Sequence, residues 1–324
     1  MKRATVLVTG AAGFIGSHCA ERLAAAGDRV VGVDNFNDFY DRKWKELNLA
    51  EVRGDFDLER LDVTDGGAIG PLVQRVRPDA ILHLAAMAGV RPSIERPAYY
   101  ARVNVEGTTH LLDAARRAGT RRVVFASSSS VYGNLAHVPF KEADDVGEPV
   151  SPYAATKRAG ELICHTFSHL YGLPISALRF FTVYGPRQRP DLAIHKFTRL
   201  IDRGQPVPFF GDGTTSRDYT YVDDTVDGIL AAARPPGDGH PGFRTFNLGG
   251  SKPVSLADLV GQIGHAVGKP VTLDRQPAQP GDVPRTFADH SRATAELGYR
   301  PRVDLPEGLR RFVAWYRAHG HQYA

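Results

Sequence analysis

Short runs rich in Val, Ile and Leu alternate, through residues 5–180, with longer stretches whose apolar residues recur at helical spacing. The runs at 5–9, 29–33, 56–60, 80–84, 122–126 and 175–180 read as strands, because continuous apolar runs of that length suit strands covered on both faces. The stretches between them, among them 103–118 and 153–171, read as helices. This alternation predicts an α/β fold built on a doubly wound parallel sheet of Rossmann type. Small or polar residues follow the strands: Gly10, Asp34, Asp62, Ala85, Ala86, Ser127 and Ser128. Ligands of such sheets bind at those carboxyl ends. Beyond Phe181 prolines and glycines become frequent (Gly185, Pro186, Pro206, Pro208, Gly211, Gly213, Pro235, Pro236) and the regular alternation stops. The change predicts a smaller mixed α/β lobe that takes a second ligand. Residues 222–233 read as a helix and 246–248 as one more strand of the main sheet, so the division is discontinuous. Residues 1–180 with about 222–250 form the dinucleotide side, and 181–221 with 251–324 the other. Residues 35–48 are an aromatic and charged insertion beside Asp34, either a cover for the ligand or a surface loop.

At 324 residues the chain is long for a single core, which agrees with two lobes. Its 42% hydrophobic and 23% charged content is ordinary for a globular protein. The net charge of +4 is scattered over the chain, too diffuse for a nucleic-acid footprint. Cys19 and Cys164 fall among apolar neighbours in expected helices and read as buried free thiols. No C-x-x-C or H-E-x-x-H spacing occurs, so no metal is expected, and His319 and His321 read as solvated. The opening MKRATVLVTG reads as a first strand rather than a signal peptide. No run of about 18 apolar residues suggests a membrane span, so a cytoplasmic protein is expected.

TGAAGFIG (9–16) joins the first strand to the first helix and spaces Gly10, Gly13 and Gly16 as G-x-x-G-x-x-G. Glycines there let backbone approach a pyrophosphate at a helix N-terminus. The second strand ends on Asp34, whose carboxylate suits ribose hydroxyls and repels a 2′-phosphate, which favours NAD over NADP despite nearby Arg42 and Lys43. A strand-turn-helix without ligand is the plainer alternative. Tyr153 and Lys157 stand four apart on an expected helix and share one face. A lysine ammonium beside the phenol favours phenolate, giving a general base for a sugar or alcohol hydroxyl. A serine of the run Ser127, Ser128, Ser129 and Ser130 can donate to the same oxygen. Without the nucleotide motif, the Tyr/Lys pair would read as an ordinary solvated helix face.

These motifs, with LDV at Asp62, HLAA at 83–86, Asn104, SSSSVYG at 127–133, LRFFTVYGP at 178–186 and TSRDYTYVDD at 215–224, resemble the extended short-chain dehydrogenase/reductase family over nearly the whole chain. The resemblance implies sugar-nucleotide chemistry with tightly held NAD. Contacts to NAD would come from Gly10, Gly13, Phe14, Ile15 and Gly16, from Asp34, Asn35, Asp62 and Val63, and from Leu84, Ala85, Ala86 and Asn104. Tyr153, Lys157, Phe180 and Val183 would complete that set. Tyr153 would be the base and Lys157 its support. Ser128, four residues before Tyr132, would be the hydroxyl partner, with Ser127, Ser129 and Ser130 as competitors.

Dehydratases of the family carry Asp-Glu before VYG and decarboxylases carry a Glu in that region, whereas this chain has Ser129 and Ser130, which disfavours elimination. Neutral-sugar 4-epimerases typically carry Asn where this chain has Thr182, and often Arg where it has Gln279, three before Asp282. With DNFNDFYD (34–41), AMAGVRPSIE (86–95) and GPRQRPDLA (185–193), the combination resembles the family's 4-epimerases of UDP-glucuronate. That likeness implies C4 inversion to UDP-galacturonate through a 4-keto sugar. Arg189 would read the C5 carboxylate beside Thr182, Ser130 and Ala193, Arg217 would bind the nucleotide diphosphate, and Tyr219, Gln279 and Asp282 would be further substrate contacts. Arg91 would reach phosphate or carboxylate, and Phe209 and Phe210 would flank uracil unless they belong to a core. A neutral UDP-hexose epimerase (UDP-glucose or UDP-N-acetylglucosamine), a UDP-glucuronate decarboxylase and a non-catalytic NAD-binding protein are the alternatives. Apolar residues in 103–118 (Val105, Leu111, Leu112) and 153–171 (Leu162, Ile163, Phe167, Leu170) exceed one core face, and the family pairs these helices into a homodimer.

Overall fold

The computed structural model describes residues 3–234, 242–250, 252–277 and 283–320. Strands β1 (Thr5–Thr9), β2 (Arg29–Val33), β3 (Phe56–Glu59), β4 (Ala80–His83), β5 (Arg122–Ser128) and β6 (Ile175–Phe180) are followed by β7 (Thr182–Tyr184), β8 (Val207–Phe210), β9 (Ser216–Tyr221), β10 (Phe243–Leu248), β11 (Pro253–Ser255) and β12 (Leu273–Gln276). The main sheet is parallel throughout, in the order β10-β6-β5-β4-β1-β2-β3. Because side chains alternate along a strand, Val6, Val8, Val124 and Leu178 enter one apolar layer while Leu7, Ile81, Val123, Phe125 and Ala177 enter the layer on the opposite face. Burial of each such side chain contributes about 1.5–3 kcal/mol. The first layer continues without a break through Phe197, Ile201, Val207 and Phe209 to Leu309 and Phe312.

The order reverses beside β1, between β2 and β4, and this switch point is where the strand ends diverge to leave a crevice. Helix Phe14–Ala25 leaves the tip of β1 through Gly10, whose φ of +70° favours glycine. Outside the main sheet, β7 and β9 pair in parallel, β9 and β11 antiparallel, and β8 and β12 in parallel.

Several boundaries differ from those expected. Strand β5 runs two residues further, because Ser127 and Ser128 stay in register with Arg179 and Phe180 of β6. The helix expected over 103–118 begins instead as a π-helical turn, Arg102–Glu106, and becomes an α-helix at Gly107–Ala118. The insertion carries the helix Arg42–Ala50. Leu111 and Leu112 belong to the core, whereas Leu162 and Leu170 on helix Pro152–Tyr171 are exposed. Cys19 and Cys164 are buried free thiols. Expected in solvent, His319 is instead half-buried and stacks on Trp315, because the apolar face of helix Leu305–His319 covers its ring; His321 lies outside the described residues. Among the described residues no helix is long and apolar enough to cross a membrane.

Candidate active site

A cavity of about 490 Å³ opens over the carboxyl ends of β1, β2, β4, β5 and β6. Its floor is the glycine turn. A Cβ on Gly16 would come within 2.0 Å of the Gly10 carbonyl oxygen, and one on Gly10 within 2.8 Å of the Ala85 nitrogen, so side chains at either would displace backbone. No side chain caps helix Phe14–Ala25, so its N-terminal turn faces the cavity through Gly13, Phe14 and Ile15.

Asp34 closes one wall and is buried. It accepts from the Ala12 nitrogen at 3.2 Å and the Phe36 nitrogen at 2.8 Å. Its cation is Lys45, at 3.5 Å and equally buried, rather than Arg42, which is exposed and paired with Glu46. Lys45 also donates to Asn37 Oδ1 at 2.9 Å, and Asn48 donates to the Ala12 carbonyl at 3.0 Å. The insertion therefore packs on the glycine turn, and Asn37, Phe39, Tyr40 and Lys45 join the lining. The sequence placed the insertion beside Asp34 and left open which way it folded; the lysine one turn into its helix was the available signal. Burial works to raise Asp62, but bonds from the Thr64 backbone and from the Asn35 and Thr64 side chains outweigh it and hold the carboxyl below its ordinary range. Val63, Leu84, Ala85, Ala86, Phe180 and Val183 also line the cavity. Asn104 does not. It accepts from the Met87 nitrogen at 2.8 Å and donates to the Met87 carbonyl at 2.9 Å and to Thr156 Oγ1 at 3.0 Å, a strut between the β4 exit and helix Pro152–Tyr171.

That helix starts at a Ser151 cap accepting from the Ala154 nitrogen, and Gly160 allows it to touch strand β5: a Cβ there would sit 2.4 Å from the Phe125 ring. The close approach brings Tyr153 and Lys157 over the strand end, where both line the cavity. Lys157 donates to the Ala126 carbonyl at 2.7 Å, and burial lowers its ammonium to about 8. The expected downward pull of Lys157 is not among the effects that set the Tyr153 phenol. Burial raises Tyr153, opposed by a hydrogen bond with Ser128 and by the positive charge of Arg189.

The serines separate by geometry. Ser127 lines the cavity like the other three, but its hydroxyl donates to buried Glu161 at 2.6 Å, so its proton is engaged. Glu161 in turn accepts from Arg179 Nε and Nη2, both at 2.9 Å. Ser128 bonds Tyr153 and Ser130, the latter at 3.2 Å, while Ser129 and Ser130 line the cavity in the turn that follows.

Thr182 lines the cavity at the start of β7, in register with Tyr219 of β9. Arg189 enters from the loop after β7. Its Nε and Nη2 donate to the Asp191 carboxylate at 3.0 and 2.7 Å, and its guanidinium lies 4.8 Å above the Phe39 ring. Ala193 starts helix Ala193–Asp202 outside the lining. Phe209 is a core residue, since its ring fills the space over Gly213. Phe210 is half-buried under the Arg91 guanidinium at 5.2 Å. Arg217 donates to the Ser216 carbonyl at 2.9 Å, and burial pushes Tyr219 up to about 12 against the pull of Arg217. Gln279 and Asp282 lie outside the described residues. Among the described residues no group of three or more His, Cys, Asp or Glu is placed to hold a metal.

Residues 7–312 match the family described as GDP-mannose 4,6 dehydratase. A probable UDP-glucuronate 4-epimerase of Rhizobium meliloti (strain 1021) is 41% identical over 327 residues, covering 96% of each chain. The crystal structure of a UDP-glucuronic acid 4-epimerase from Bacillus cereus, in complex with UDP-glucuronic acid and NAD, superposes with a TM-score of 0.89 at 35% identity, over 97% of this chain and 99% of that one. A UDP-glucose 4-epimerase of Thermotoga maritima, with UDP-glucose, gives a TM-score of 0.89 at 32% identity, again over 97% and 99%.

Proposed function

The chain belongs to the GDP-mannose 4,6-dehydratase family of extended short-chain dehydrogenase/reductases, and we propose that within it the protein interconverts UDP-glucuronate and UDP-galacturonate by epimerisation at C4 with NAD as catalytic cofactor. The observation that carries this reading is one cavity lined by a phenol, a serine turn without acids before Tyr132, and a guanidinium. The acids that would expel a hydroxyl are replaced by Ser129 and Ser130, and a guanidinium suits a carboxylate.

The residues present fit NAD. The glycine turn leaves room only for backbone approach, the uncapped helix end faces it, and Asp34 presents a carboxylate where a ribose would lie. Asp34 would accept from the ribose hydroxyls, Lys157 would hold the nicotinamide ribose, and Asp62, Ala85 and Val183 would complete the cofactor contacts. Bound NAD would supply a hydride acceptor, and later a donor, for C4 of the sugar. Tyr153 takes the O4 proton and returns it after the sugar has turned over. Ser128 donates to the same oxygen and keeps it in reach of the phenol. Arg189 fixes the C5 carboxylate, which matters because a 4-keto uronate is a β-keto acid prone to lose CO₂. Strands β7, β8, β9, β11 and β12 form the nucleotide-sugar side, where Arg217 and Tyr219 meet the diphosphate and Arg91 and Phe210 flank the nucleotide. Exposed Leu162, Leu170 and Tyr171 support a homodimer formed through helix Pro152–Tyr171. A cytoplasmic location agrees with the supply of nucleotide sugar.

The test is NMR of the purified protein with UDP-glucuronate and catalytic NAD, following the anomeric and H4 signals. UDP-galacturonate without net NADH is the expected result. A UDP-pentose product would move the assignment to decarboxylation, and turnover of UDP-glucose alone would remove Arg189 as a carboxylate reader.

A further inference from the structure

Arg189 is held on more than one side, and neither holder was singled out by sequence. The loop that carries it is staked down. Arg187 adopts φ +64° and is fixed by an ion pair with Glu21 at 2.8 Å. Gln188 donates to the Val183 carbonyl at 3.1 Å, accepts from the His195 nitrogen at 3.2 Å, and its own carbonyl bonds His195 Nδ1 at 2.6 Å. The guanidinium is then fixed in plane and in tilt. Asp191, exposed and outside the cavity lining, engages the Nε–Nη2 edge with both carboxylate oxygens. Phe39, from the insertion that also carries Lys45, supports the face at 4.8 Å. A guanidinium has five N–H donors in a rigid fork, so an engaged Nε–Nη2 edge leaves the Nη1 donors and one of Nη2.

We propose that Asp191 and Phe39 are positioning residues that set substrate specificity by presenting the remaining Nη1–Nη2 edge of Arg189 to the carboxylate of a hexuronate. The inference rests on the carboxylate-reading role of Arg189 given above. It adds that the carboxylate is read without displacing Asp191. The insertion that packs on the glycine turn therefore takes part in choosing the sugar. With Asp191 removed, the planar group rotates about its side-chain torsions. With Phe39 removed, it tilts off the wall. Either loosens the grip on the carboxylate while leaving the diphosphate contacts in place.

The experiment uses Asp191→Asn, Asp191→Glu and Phe39→Leu, with affinity for UDP and for UDP-glucuronate measured by calorimetry and product ratios by NMR. Loss of one charge-assisted contact corresponds to about a tenfold weaker affinity for UDP-glucuronate. We expect that loss in Asp191→Asn and Phe39→Leu, with affinity for UDP unchanged, a UDP-pentose by-product appearing, and partial recovery in Asp191→Glu. Tighter UDP-glucuronate binding in Asp191→Asn would mean that Asp191 competes with substrate and would overturn the proposal. So would equal loss of UDP affinity, or an unchanged affinity and product ratio. Failure of the unsubstituted protein to bind UDP-glucuronate more tightly than UDP-glucose would instead strike the reading of Arg189 itself.

Discussion

Tyr153 shows how one side chain is set by opposing effects. Desolvation by its apolar surroundings disfavours phenolate, while the Ser128 hydroxyl and the Arg189 charge favour it. A general base contributes about 10²–10⁴ in rate, so Tyr153→Phe is expected to lower kcat by that range with NAD still bound, and Ser128→Ala by less. Arg189→Met removes a nearby cation, which destabilises phenolate and raises the phenol pKa further. The acidic limb of the kcat–pH profile is therefore expected to move to higher pH in that variant. A limb that stays in place would show that the Arg189 charge does not reach the base once ligands are bound. Sequence spacing alone placed Tyr153 and Lys157 on one face, but it gave Lys157 the tuning role. The ammonium instead bonds the Ala126 carbonyl, a contact across 31 residues that periodicity does not reveal.

At the scale of elements, strand β6 and helix Pro152–Tyr171 are joined by a buried ion pair. Glu161 on the helix accepts from Arg179 of neighbouring β6 and from Ser127 of β5. Removing one partner of a buried pair leaves an uncompensated charge, so Glu161→Ala is expected to cost about 3–5 kcal/mol, checked by urea unfolding. Loss of less than about 1 kcal/mol would mean that water reaches Arg179 and the brace is not dry. The elements themselves were legible because each has its own period: β1, β2 and β6 appear at the residues expected, and helix Val222–Ala233 with them. What failed was local and physical. Serines read as a strand end at Ala126, yet β5 continues because neighbouring β6 supplies partners for its backbone. Asn104 carries the family's polar residue, but its amide is spent on Met87 and Thr156, so it braces the β4 exit and does not line the cavity. Phe209 and Phe210 were indistinguishable in sequence. Strand alternation turned the first into the core and the second toward Arg91.

Across the whole molecule, neutral histidines are buried against both apolar layers, His83 beside Phe125 of one and His195 beside Phe312 of the other. His83, at the tip of β4, lies between the hydroxyls of Thr9 at 2.8 Å and Thr108 at 2.9 Å, and burial, helped by the Lys157 charge, lowers it to about 3. His195 sits among Trp44, Phe312, Trp315 and Tyr316, and burial lowers it to about 4 against the opposing bond to the Gln188 carbonyl. Both are nearly inaccessible to water, at 2% and 1% exposure, so solvent does little to screen the penalty of charging them. The sign follows from linkage. Unfolded histidine gains a proton near pH 6.5 while the folded rings stay neutral down to the values above. The unfolded state therefore binds more protons, and the stability these groups contribute is full above the unfolded pKa and lost as pH falls toward the folded ones. Each ring accounts for about 1.4 kcal/mol per pH unit within that window. Lowering the pH from about 7.5 to about 5 is expected to reduce Tm steeply, and His83→Gln should flatten the lower part of that slope by one histidine's share. The same melt with His195→Gln separates the contributions of the two layers. If neither variant changes the slope, the loss over this range falls to His18, whose ring burial and the Arg187 charge also lower to about 4, whereas Glu161, held below its ordinary range by Arg179 and Ser127 against burial, loses its contribution only at more acid pH.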